Sequence, residues 1–338
     1  MVAMPESRGV VVVAPNWLGD AVMALPAMGD LRRHFSADRL VVATRASVRG
    51  LFTLVPGIDS IVGSDVPSVR GTRASVAVLF PNSFASAWLV KRAGMPERWG
   101  YSADLRVLML TRAIRRPRKP MHQSEYYQHL IRELGIETAP PEIALAIPPD
   151  ALHDGRTLLA GRGWEGQTAL VVLAPGAAYG KAKQWIPTHV VQLVTALVRE
   201  RRMTCALVGS RGDAATIQAI RSAAPADCQP QILDLAGLTT LPVLAAILSL
   251  ASVCVSNDSG AMHLAAAAGV PTVAIFGPTN ERATAPLARA GVSIELLTNP
   301  VWCRPCMLRE CPIDHRCMTG IEPAHVVAAI DRIARAIA

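Results

Sequence analysis

The stretch VCVSNDSGAMHLAAAAGVPTVAIFGP (residues 253–278) reads as strand, polar turn, helix, stop and strand. Val253 and Val255 open a short β-branched run. Asn257, Asp258 and Ser259 are all types that cap a helix N-terminus, and the small helix formers of residues 260–268 run until Gly269 and Pro271 end them. Residues 273–276 form the next buried strand. A helix that opens at the carboxyl end of a strand presents unpaired backbone N–H groups and the positive end of its dipole. That arrangement suits a diphosphate. The segment therefore points to a nucleotide-linked ligand without the usual dinucleotide glycine fingerprint.

Outward from this segment, the chain begins twice. Residues 9–14 read as a strand, followed by PNWLGD (15–20) and a helix over 21–34 with Val22, Leu25, Met28 and Leu31 at helical spacing, kinked by Pro26. Far downstream, residues 169–174 read as a strand, followed by PGAAYGKAKQW (175–185) and a helix over 187–201. Both are strand–loop–helix openings with a proline just after the strand. The first half continues with strands near 39–43 and 76–79 and helices near 83–93 and 124–134. The second continues with strands at 204–209 and 231–234 and helices near 213–223 and 241–249. This alternation predicts an α/β protein with two Rossmann-like, doubly wound domains facing across a cleft. The expected domains are 1–160 and 161–320, with a terminal helix in 321–338. Val326, Val327, Ile330, Ile333 and Ile337 lie on one side of that helix, which needs a surface to cover.

The 338 residues are 51% hydrophobic and 18% charged, which gives a large core and excludes global disorder. Lys and Arg number 34 against 26 Asp and Glu, so phosphorylated sugars or anionic lipid surfaces are natural partners. With 4% aromatics, no base-stacking motif and no zinc-finger spacing, nucleic acid is the weaker reading. No signal peptide is visible, because the apolar run after the polar start is cut by Pro15, Asp20 and Pro26. No apolar stretch approaches the ~20 residues that span a bilayer. A cytoplasmic chain is expected. RRPRK (115–119) offers a peripheral contact at the inner face of the inner membrane, or is simply a solvated loop.

Four segments carry a resemblance: NWLGDAVMALPAM (16–28), KAKQW (181–185), SNDSGAMHLAAAAGVPTVAIFGPT (256–279) and CRPCMLRECPIDHRCM (303–318). In content and order, over nearly the whole chain, they resemble glycosyltransferase family 9. The resemblance implies a GT-B fold, with acceptor on the first domain, nucleotide sugar on the second, and no metal or other cofactor. It implies that the last helix crosses back to the first domain. It further implies inverting transfer of heptose from ADP-heptose to a lipid-linked saccharide, the inner core of lipopolysaccharide. The alternatives are another donor or acceptor within the family, an epimerase-like enzyme on the same fold, or a non-catalytic nucleotide-binding protein.

Inverting transfer needs a base for the acceptor hydroxyl, a held anomeric carbon and neutralisation of the departing diphosphate. Asp20 follows a glycine at a helix start and can project toward a ligand. Its context alone favours an ordinary N-cap, and the resemblance makes it the base. Lys183, in the loop after a strand, is the candidate cation for the leaving group, with Lys181 as competitor. Ser259, Gly260, Ala261 and Met262 are expected to offer backbone N–H groups to the diphosphate. Asp258 would repel phosphate, so it either caps the helix or accepts from a sugar or ribose hydroxyl. His263 either donates to a phosphate or packs structurally. Gly209 and Ser210 either touch the nucleoside or form a simple turn. Asn16, Trp17 and Gly19 shape the acceptor side, with Trp17 stacking on a sugar or buried in the core.

Four of the seven cysteines, Cys303, Cys306, Cys311 and Cys317, are spaced C-x2-C-x4-C-x5-C. One structural metal on four thiolates is conceivable, but zinc ribbons use two separated pairs, and reduced packing thiols are the main expectation. A catalytic thiol is not expected, since the segment is taken to be remote from the ligand motifs.

Overall fold

The structure, a computed structural model, describes residues 9–337. The chain divides into two compact units, Met1–Ala146 and Ile147–Ala338. In the first, β1 (Val10–Val13) leads to α1 (Leu18–Met23), α2 (Leu25–His34), β2 (Leu40–Thr44), α3 (Ala46–Phe52), β3 (Ser60–Gly63) and α4 (Val66–Gly71). Then follow β4 (Val76–Leu79), α5 (Phe84–Arg92), β5 (Glu97–Tyr101), β6 (Arg112–Ile114) and α6 (Gln123–Glu133). The second unit opens with α7 (Pro149–Ala160), β7 (Leu170–Ala174), α8 (Pro187–Arg201), β8 (Thr204–Leu207), α9 (Ala214–Ala223) and β9 (Ile232–Asp234). It continues through α10 (Leu241–Ser249), β10 (Val253–Asn257), α11 (Gly260–Ala267), β11 (Thr272–Phe276) and α12 (Glu281–Thr284). It ends with β12 (Ile294–Thr298), α13 (Arg316–Thr319) and α14 (Pro323–Ile337).

Both sheets are parallel and six-stranded, in the orders β3-β2-β1-β4-β5-β6 and β12-β11-β10-β7-β8-β9. Counted from its first strand, each is the same 3-2-1-4-5-6 arrangement, and each reverses direction beside that strand. The switch points fall between β1 and β4 and between β7 and β10. The central strands are buried along their whole length, as a parallel sheet covered on both faces demands, which is why they read as continuous Val and Leu runs.

Three expectations change. The helix expected over 21–34 is two helices broken at Ala24, with Pro26 in the first turn of α2, where its missing N–H costs nothing. The boundary expected after residue 160 falls after Ala146, because α7 packs on α10. The terminal helix, expected to return to the first domain, packs on α8, β11 and β12 of the second unit. Val326, Ala329, Ile330 and Ile333 join the core of that sheet with Val273, Ile275 and Trp185. Ile337 and Ala338, also assigned to that helix face and its end, lie outside the residues whose side chains are described.

In the first unit, a fully buried Arg106 ties the carboxyl ends of β4 and β5 together. Its guanidinium donates to the carbonyls of Tyr101 (2.8 Å) and Pro81 and to the Ser86 hydroxyl (2.9 Å). Burial lowers its pKa to about 10, which leaves it charged at neutral pH. Replacement by methionine keeps the bulk but removes all of these bonds, together with the one to Ser83 O (3.3 Å). Arg106→Met is expected to destabilise the first unit by about 2–4 kcal/mol, read as a fall in the urea midpoint at constant m-value.

Candidate active site

Ligands of open α/β sheets bind beyond the carboxyl ends of the strands at the switch point. In the second unit three loops meet there. Asn257, the last residue of β10, staples two of them: its Nδ2 donates to Pro175 O (2.7 Å) and its Oδ1 accepts the Trp185 amide (3.1 Å). Both partners belong to the loop after β7, so the first loop is pinned to the start of α11. Gly209 and Ser210 close the turn after β8. The Ser210 amide and hydroxyl both donate to the Asp213 carboxylate (2.8 and 2.7 Å), and a Cβ at Gly209 would come within 2.8 Å of Asp213 Cβ. The polar groups of Ser210 are thus already engaged in a capping box.

Ser259 holds the extended N-cap position of α11, but its hydroxyl bonds Ser256 Oγ (3.0 Å) and no side chain caps the helix. The amides of Gly260, Ala261 and Met262, in the first turn, have no intrahelical acceptor. Ser259, Gly260 and Ala261 are half-exposed, whereas the Met262 side chain packs with Ala274 and Phe276 and offers only its backbone. His263 is buried one residue further on.

Lys183 ends a 3₁₀ turn, Lys181–Lys183, and its Nζ lies 2.6 Å from Asp258 Oδ2. The same oxygen accepts from Thr279 Oγ1 at 2.7 Å. Asp258 therefore neither caps α11 nor stands open to a sugar; its buried carboxylate holds the lysine. Lys181, the competitor, is exposed. Lys183 also lies 4.8 Å over the Tyr179 ring. The site combines one cation, one carboxylate and an uncapped helix N-terminus, which leaves a surplus of positive potential for a diphosphate.

The cysteine-bearing segment, taken from sequence to be remote, lies directly on the Lys183 loop. Ala182 N donates to Arg309 O (2.9 Å), His315 Nε2 donates to Ala182 O (2.6 Å), and Tyr179 OH donates to Met307 O (2.9 Å). The backbones touch so closely that a Cβ at Gly180 would come within 2.9 Å of Arg309 Cα. Motif spacing cannot reveal this, because the contact joins elements over 120 residues apart. All four thiols are free, and burial pushes the Cys317 thiol up, away from nucleophilic thiolate. Among the described residues, no group of three or more His, Cys, Asp or Glu is arranged to hold a metal ion.

In the first unit the corresponding switch point carries Asn16, Trp17, Gly19 and Asp20. Trp17 is the N-cap of α1 and 55% exposed, so the core reading of this tryptophan is set aside. Asp20 sits in the first turn rather than at the cap, half-buried. It faces Tyr127 of α6, whose phenol is raised well above its ordinary range by burial and then by the Asp20 charge. In the loop after β4, Asn82 Nδ2 donates to Tyr126 OH (2.8 Å).

Two six-stranded Rossmann-like units in one chain are the architecture of a GT-B glycosyltransferase. The family model for glycosyltransferase family 9 (heptosyltransferase) matches residues 66–316, and the chain belongs to that family. It is similar to lipopolysaccharide heptosyltransferase 2 of Salmonella typhimurium, with 27% identity over 309 residues, 86% of this chain and 88% of that one. Among solved structures, Escherichia coli ADP-heptose LPS heptosyltransferase II superposes with a TM-score of 0.82 at 23% identity, covering 96% of this chain and 98% of that one. The family 9 glycosyltransferase of Veillonella parvula DSM 2008 gives 0.81 at 18% identity, covering 98% of each chain.

The Lys183–Asp258 pair is buried, with 14% and 6% side-chain exposure, so deleting one partner strands the other. Asp258→Ala is expected to cost about 3–5 kcal/mol. The double variant Asp258→Ala/Lys183→Met should recover a large part of that loss. A loss in the double variant equal to the sum of the two single losses in a thermal-unfolding cycle would mean that the pair is not coupled.

Proposed function

We propose that this glycosyltransferase moves a heptose from ADP-heptose to the inner core of lipopolysaccharide, with inversion and without a metal. The observation that carries the reading is Lys183 beside the uncapped start of α11. The names of the relatives support the sugar and the acceptor. No helix among the described residues is long and apolar enough to cross a membrane. In this reading the enzyme meets its lipid-linked acceptor at the membrane surface.

In this mechanism the acceptor hydroxyl oxygen attacks the anomeric carbon from the face opposite the diphosphate. One C–O bond forms as the bond to the diphosphate oxygen breaks, so a single displacement inverts the centre. Asp20 takes the hydroxyl proton. An ordinary carboxylate pKa of ~3.9 is far below that of a sugar alcohol, so the proton moves late, once the oxygen has become acidic through bond formation. Negative charge grows on the leaving diphosphate. Lys183 and the amides of Gly260, Ala261 and Met262 offset it from fixed positions, which needs no reorganisation during the reaction. Asp258 keeps the ammonium of Lys183 aimed while the site is empty and shares it when phosphate arrives. Ser259 and His263 complete the donor side in this reading, and Asn16, Trp17 and Gly19 the acceptor side.

Two measurements test this. In a thermal-shift panel of ADP, UDP, GDP and CMP with excess EDTA, ADP should give the dominant stabilisation. A preference for another nucleotide would keep glycosyl transfer and overturn the heptose assignment. In a transfer assay with ADP-heptose and core acceptor, Asp20→Asn should lower kcat by ~10²–10⁴ with ADP affinity nearly unchanged. Lys183→Ala should lower kcat by ~10²–10³ and weaken ADP as well. Full turnover by the Asp20 variant would remove it as the base.

A further inference from the structure

We infer that the first unit docks on an anionic lipid bilayer through the exposed face of α5 and the 3₁₀ turn Val107–Met109, flanked by the basic stretch after β6. This deepens the lipid-linked acceptor reading and rests on it for its purpose. Leu105 is 92% exposed and Leu108 89%, values that no packing role explains. On α5, Phe84 and Trp88 stand one turn apart on the same face, both exposed, with ring centroids 6.3 Å apart.

The 3₁₀ turn and α5 are neighbours, because buried Arg106, between Leu105 and Val107, bonds Ser86 of α5 (2.9 Å). Arg106 and Met109 turn inward as Leu105 and Leu108 turn out. The same α5 face continues into Lys91 and Arg92, and the Arg92 guanidinium lies 5.7 Å over the Trp88 ring. Arg115, Arg116, Arg118 and Lys119 are all exposed. Arg116 acts electrostatically on Tyr126, which bonds Asn82 beside the N-cap of α5, so the basic stretch borders the same face.

Charge selects the partner. Between residues 83 and 119 there are nine Lys and Arg against two acids, Glu97 and Asp104. Exposed leucines and a tryptophan rimmed by cations match a surface of acyl chains under anionic head groups. The cysteine segment also exposes Trp302 and Ile313, but Glu310 and Asp314 stand among its arginines, so it lacks this bias.

The test uses the full chain and sedimentation with vesicles of phosphatidylcholine, with and without phosphatidylglycerol. Neither nucleotide sugar nor acceptor is present, so failure of the heptosyl reading cannot imitate failure of the surface. The chain should bind the anionic vesicles and leave neutral ones, and salt should weaken binding. Leu105→Glu/Leu108→Glu should reduce partitioning at least ~10-fold. Replacing Arg115, Arg116, Arg118 and Lys119 with Gln should reduce it roughly a hundredfold or more. Both variants should keep the ADP thermal shift and turnover on a delipidated acceptor. Absence of binding to anionic vesicles, or binding unchanged in both variants, overturns the proposal. So does a concentration-dependent dimer that the leucine variant dissolves without any vesicle binding, because the face would then join two copies of the chain.

Discussion

The ion pair between Lys183 and Asp258, 2.6 Å apart at the mouth of the second sheet, is the constraint on which the site depends. A lysine taken largely out of water must have a partner, and here the partner sits immediately before the α11 N-cap. The arrangement uses one carboxylate twice. It satisfies the ammonium, and its charge lies where a helix dipole favours an anion. What remains is an uncapped helix start beside a cation held on one carboxylate, the features on which the proposed diphosphate site rests. Thr279 completes the carboxylate's bonding and fixes its rotamer, so the lysine is aimed before any ligand arrives.

Everything around the pair serves to hold two loops in register. Asn257 binds the loop after β7 to the end of β10 from within. From outside, the cysteine segment presses on that loop through Ala182, Tyr179 and the close approach at Gly180. Short, backbone-directed hydrogen bonds suit this task better than side-chain pairs, because they fix the path of the chain rather than one group. The free, largely protonated thiol of Cys317 then belongs to packing beneath this strap and not to chemistry.

The strand–turn–helix of residues 253–278 was legible because each local choice agrees: β-branched strand, small helix formers, glycine stop. Strands β4 and β7 were legible for the same reason, as unbroken apolar runs buried on both faces. The edge strand β6 was not: its arginine and exposed alanine carry no period-2 signal, and only pairing with β5 makes it a strand. β5, with Glu97 and Arg98 at its start, hides for a similar reason. Asp258 was recognised as awkward beside a phosphate, but its partner lies 75 residues away, and no local pattern encodes that pairing. Arg106 was invisible altogether, since an arginine in a loop reads as solvated unless the carbonyls that bury it are known.

The two units show how one topology supports different chemistry. Both sheets run in the same strand order and both begin with strand, proline and polar loop, so both present a switch point at the same place in the fold. What fills it differs. The second unit places a cation and free amides there, the first a half-buried carboxylate in the opening turn of α1, close to a buried tyrosine. A carboxylate at that position has the sign that the α1 N-terminus favours. A lysine there would meet the same dipole with the wrong sign. In the second unit the comparable charge problem is solved the other way round: the cation is carried on the loop, off the helix axis, and the helix start is left open to an anion. The common scaffold therefore constrains where a charged group can act, while the sign of that group follows from whether it rides on the helix or on the loop before it.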